Sequence, residues 1–75
     1  MVQIQNPPAK RFDASKLRDL REAKGLSRQA LADRCPHVSY AAIRSYEEGR
    51  NKPDIDRALE LAAALRVAVR HLTTS

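Results

Sequence analysis

The sequence holds a single cysteine, Cys35, so no intrachain disulfide can form. A lone cysteine between Leu31 and Val38 reads as a small apolar core residue rather than a nucleophile. Glycine occurs only at Gly25 and Gly49, each at a place where a helix can end. Tryptophan is absent and the aromatics are Phe12, Tyr40 and Tyr46. That is too few for the exposed stacking platform typical of single-stranded RNA readers. No run approaches the ~20 apolar residues of a membrane-spanning helix. The first ten residues are polar and carry Pro7 and Pro8, unlike a signal peptide, so a cytoplasmic protein with no membrane partner is expected. His37 and His71 lack metal-ligand spacing. No zinc motif, Gly-rich phosphate loop or G-x-S-x-G elbow is present. Neither a metal site, a cofactor nor catalytic residues are expected, and the chain is not read as an enzyme.

Charge and helix-forming residues are what remain. Lys and Arg number 14 against 9 Asp and Glu, a net charge of +5 on 75 residues. Such a balance favours a polyanionic partner. The apolar content is mainly Ala, Leu, Val and Ile, which suits short packed helices. The length allows one small domain and no separate sensing domain beside it. Residues 1–12 read as an arm and 13–75 as the domain. Within the arm, Val2 and Ile4 alternate with polar residues, as a short strand or a disordered tail would.

Four helices and a short fifth are predicted, an all-α bundle. Asp13 caps the first, Ala14–Lys24, whose Leu17, Leu20 and the stem of Lys24 share a face. Ser27 caps the second, Arg28–Cys35, with Leu26 and Leu31 as its staple, and Pro36 stops it. Ser39 caps the third, which runs to Glu48. Its inner face carries Ala42, Ile43 and Tyr46. Asp54 caps the fourth, which runs to Leu65 with Ile55, Ala58, Leu59, Ala62 and Leu65 as its apolar stripe. Val67–Leu72 is a candidate fifth helix. The second and third helices make a helix-turn-helix corner, a shape that fits a helix to the major groove of DNA.

The stretches LRDLREAKGLSRQALADR, VSYAAIRSYEEGRNKPDID and LELAAALRV make residues 17–72 resemble the Cro/C1-type helix-turn-helix family. The resemblance implies a compact, lambda-repressor-like bundle of four to five helices and a double-stranded DNA partner. It implies that Tyr40, Ala41, Arg44 and Ser45 face bases. Arg28, Gln29, Ser39, Arg50, Asn51 and Lys52 then hold the DNA backbone, and Arg21 and Glu47 form a structural ion pair. A homodimeric repressor on an inverted repeat is the leading expectation. An antitoxin-like protein that grips a protein partner is the alternative, through an apolar patch at Val67, Val69 and Leu72 or through Val2–Ile4. The sequence departs from the family pattern at three places. The turn Cys35-Pro36-His37-Val38 is one residue longer, Arg66 stands where glycine is usual, and Ala68 stands at the usual cap of the fifth helix.

Overall fold

The computed structural model describes residues 11–74. The elements run β1 (Arg11–Phe12), α1 (Ala14–Ala23), α2 (Arg28–Asp33), α3 (Tyr40–Glu47), α4 (Ile55–Leu65), a 3₁₀ helix (Val69–Leu72) and β2 (Thr73–Thr74). Each α-helix starts on a side chain that accepts a backbone N–H left over at the first turn. Asp13 accepts from Ser15 and Lys16, Ser27 from Ala30, Ser39 from Ala42 and Asp54 from Arg57.

Three helices stop in the same way. The residue after the final turn takes a left-handed backbone, and the next N–H reaches back to the carbonyl five residues earlier. Gly25 (φ 70°) and Gly49 (φ 77°) do this after α1 and α3. The reaching bonds are Leu26 N–H to Arg21 and Arg50 N–H to Ser45. After α4 the position falls to Arg66, whose φ is 58°, and Val67 N–H reaches Ala62 at 3.0 Å. The hydrogen-bonding pattern of the stop survives without glycine, at a steric cost to Arg66.

The core is built on Leu17, Leu31, Ile43, Leu61, Leu65 and Leu72, all fully buried, with Val38, Cys35 and Tyr46 around them. Burial pushes the Cys35 thiol up to about 11, aided by the nearby Glu60 charge, which fits a packing role for this residue.

Several expectations are corrected. Helix α2 ends at Asp33, two residues before Cys35, because the chain must turn inward to bury Cys35 and Val38. On α4 the inward face is Ala58, Leu61, Ala62 and Leu65, whereas Ile55 is 66% and Leu59 49% exposed. Of the stripe read from the sequence, Ala58, Ala62 and Leu65 face the core, while Ile55 and Leu59 turn to solvent and Leu61 takes their place. Lys24 is exposed. Beyond Val67 the chain forms one 3₁₀ turn whose N-cap, Ala68, makes no side-chain bond. Leu72 is fully buried, and Val67 and Val69 pack on the core. The apolar patch that would favour a protein partner is therefore not exposed there. The Val2–Ile4 segment lies outside the described residues.

The fold also contains strands that periodicity does not reveal. Arg11 and Phe12 pair antiparallel with Thr74 and Thr73. Phe12 meets Tyr46 edge-on, with ring centroids 6.1 Å apart. Asp13 N–H to Leu72 C=O (2.8 Å) and Lys16 Nζ to Thr73 C=O (2.8 Å) close the two ends of the domain together.

Candidate nucleic-acid interface

Helix α3 turns Ile43 and Tyr46 inward and packs Ala42 against the core. Helical geometry then sends Tyr40, Ala41, Arg44 and Ser45 to the opposite side. Tyr40, Ala41 and Arg44 are exposed and Ser45 is half-buried. These four side chains line one open notch together with Glu48 and Arg50. Residues placed by sequence on the base-facing side are thus brought to one surface.

The helix is held from behind by Glu47, whose side chain is completely buried. Arg21 of α1 donates to it twice, from Nε to Oε2 at 2.6 Å and from Nη2 to Oε1 at 3.0 Å. Arg28 of α2 donates from Nε to Oε1 at 3.0 Å. Burial pushes the Glu47 carboxyl up, but the hydrogen bonds from Arg21 and Arg28 outweigh it, and the group ends below the usual carboxylate range. Both guanidiniums are raised, chiefly by their bonds to Glu47. Arg21 Nη1 also donates to the Leu26 carbonyl at 2.7 Å, bracing the turn after α1. One carboxylate therefore fixes α3 against α1 and α2 together.

Arg28 has a role that spacing does not show. Its Nε is engaged by Glu47, and the Tyr40 hydroxyl also acts on its guanidinium, so part of its donor set is already committed within the domain. Gln29 Nε2 donates to Asp33 at 2.8 Å along α2. The Ser39 hydroxyl accepts the Ala42 N–H at 3.1 Å, so its first duty is the cap. In the loop after α3, Asn51 Nδ2 donates to Ser45 Oγ at 2.7 Å, tying the loop to the outer face of the helix. Arg50 and Lys52 are exposed.

The long turn before α3 has its own latch. Glu60 of α4 accepts the His37 backbone N–H at 2.8 Å, and its other oxygen lies 3.0 Å from His37 Nδ1. These bonds hold the Glu60 carboxyl below its usual range. Neither Glu60 nor Glu48 stands out by sequence spacing. In hindsight Glu60 is an acid on a helix face that would otherwise be free for apolar packing, facing the extra turn residue. Among the described residues no group of three or more His, Cys, Asp or Glu is placed to hold a metal ion. None of their helices is long and apolar enough to cross a membrane.

Comparisons with known proteins bear on the fold that carries this face. No curated protein matches the sequence. Among solved structures, the restriction-modification controller protein C.AhdI from Aeromonas hydrophila superposes with a TM-score of 0.74 at 34% identity, over 79% of this chain and 88% of that one. An HTH_3 family transcriptional regulator from Vibrio cholerae superposes with a TM-score of 0.73 at 30% identity, over 79% of this chain but only 33% of that longer one. The helix-turn-helix family model HTH_3 matches residues 17–72, from the first core leucine of α1 to the last buried leucine, and the chain belongs to that family.

Proposed function

We propose that the chain is a sequence-specific, double-stranded DNA-binding transcriptional regulator, cytoplasmic and non-catalytic, that seats α3 in the major groove. The observation that carries this reading is the outer face of α3. Tyr40, Ala41, Arg44 and Ser45 share one notch on a helix locked from behind by Glu47. Arg44 suits the acceptor pair on a guanine edge, and Tyr40 or Ala41 suits a thymine methyl. Arg50, Asn51 and Lys52, with the terminal nitrogens of Arg28, contact phosphates and set the helix register. The net charge of +5 supports the same partner. The neighbouring C.AhdI is a controller protein, and the Vibrio cholerae neighbour is a transcriptional regulator.

The regulator acts as a homodimer on an inverted repeat, with recognition helices about one DNA turn apart. Helix α4 supports this. Ile55, Leu59 and Ala63 recur every fourth residue along it and are exposed. Asp56 lies near its start, and Arg66 and Arg70 follow its end. Antiparallel packing on a second copy covers the apolar row and sets the acidic end of each helix toward the basic end of the other.

The test is selection from a pool of random duplexes at near-physiological salt, followed by sequencing. An enriched inverted repeat supports the dimeric regulator. A single enriched half-site removes the dimer. No enrichment removes sequence-specific binding.

A further inference from the structure

Glu48 is a carboxylate at the C-cap of α3, the end of a helix where negative charge is disfavoured. It lines the same notch as the proposed base readers. Its Oε2 accepts from Arg44 Nε at 3.0 Å, one helical turn back. Its Oε1 lies 2.6 Å from Arg50 Nη2, in the loop beyond. One acid thus engages both the cation assigned to a base and a cation assigned to a phosphate. The Arg44 bond leads in holding the Glu48 carboxyl below its usual range, so the charge persists at neutral pH.

This arrangement has two physical consequences for a duplex at this face. With Nε engaged, Arg44 keeps its two terminal nitrogens for an acceptor pair but loses freedom to swing toward any phosphate within reach. Arg50 has its Nη2 committed to Glu48 and must break that ion pair before its full fork is open to a phosphate. A negative charge on the approach surface also repels every phosphate backbone alike. All three effects weaken binding to arbitrary sequence, and only the first improves reading of a particular one.

We propose that Glu48 is a positioning residue that sets sequence discrimination by restraining Arg44 and Arg50. It lowers affinity for random DNA more than for the preferred site. This inference rests on the DNA-binding reading above. The decisive variant is Glu48→Gln in the full chain, which removes the charge while keeping length and an acceptor oxygen. Binding is measured by fluorescence anisotropy on the duplex selected by the unmodified protein and on a random duplex, each across a salt series. Glu48→Gln should bind the random duplex several-fold more tightly. Its log K against log salt slope should steepen by about 0.9, the value of one further phosphate contact. The ratio of selected to random affinity should fall, by no more than the gain on the random duplex. Glu48→Ala, without charge or acceptor, should move both quantities in the same direction. In an Arg44→Ala background Glu48→Gln should leave base preference unchanged, because the two residues act as a unit. An unchanged ratio and slope in both Glu48 variants, or an equal loss on both duplexes, overturns the proposal. Failure of the unmodified protein to bind either duplex overturns the DNA-binding reading itself, and the two failures are separate in the data.

Discussion

Glu47 is a fully buried carboxylate that accepts three hydrogen bonds from two arginines. Removing it leaves Arg21 buried without its partner, a change that costs about 3 kcal/mol or more. For a domain of this size, Glu47→Ala is expected to lower Tm by about 12–24 °C. The same pair sets a pH dependence. Folding lowers the Glu47 carboxyl below its ordinary value of 4.5, so its stabilisation is complete above that pH. It is lost as pH falls through the lowered folded value, when the carboxyl protonates. Urea melts from pH 7 down to pH 3 should show a loss in the unmodified protein that is smaller in Glu47→Gln. Equal Tm for Glu47→Ala, or parallel pH profiles, would contradict the buried-pair account. At the other end of the molecule, Arg66 carries a left-handed backbone where two other helices use glycine. Arg66→Gly relieves that cost but adds freedom to the unfolded chain, so a net gain of about 0.5–1 kcal/mol is expected by thermal melting. A loss would show that the Arg66 side chain stabilises the fold through contacts that outweigh its backbone.

Among the elements, the starts of the helices were legible because capping is local chemistry. Asp13, Ser27, Ser39 and Asp54 each precede a helical pattern and each makes its cap. Faces were less legible, because a helix of 3.6 residues per turn offers neighbouring apolar rows and only packing chooses between them. On α4 the sequence carries Ile55, Leu59 and Ala63 on one row and Ala58, Leu61, Ala62 and Leu65 on the next, and the core takes the second. The strand at Arg11–Phe12 was hidden because two residues carry no periodicity. Its one signal was an apolar residue directly before a cap, as at Leu26 and Val38. The Glu60 latch on His37 was illegible because the residues are 23 positions apart. If the unburied row of α4 is the self-association face, Leu59→Glu should give a monomer by sedimentation velocity. It should lose affinity for an inverted repeat while retaining that for a single half-site. A dimer that persists in Leu59→Glu places the interface elsewhere.

Over the whole molecule, a small core among the described residues supports the exposed outer face of α3. The ends are sewn together by β1 and β2, α1 and α2 clamp α3 through Glu47, and α4 holds the turn that leads into α3. The Glu47 clamp and the Glu60 latch both bear on the orientation of α3. That economy suits a module whose binding depends on placing three or four side chains within hydrogen-bond reach of base edges. On the proposed reading, the positive charge brings the chain to DNA without regard to sequence, and the face of α3 then decides where it stays. The most direct test is the sequence motif enriched from random duplexes by Arg44→Ala, set beside the motifs of the unmodified protein and of Arg50→Ala. The account predicts that Arg44→Ala loses preference at one position in each half-site while the rest of the motif is kept. It predicts that Arg50→Ala keeps the whole motif with weaker binding to every duplex. An unchanged motif in Arg44→Ala, with affinity lost equally on all sequences, would contradict the assignment of α3 as the reading helix.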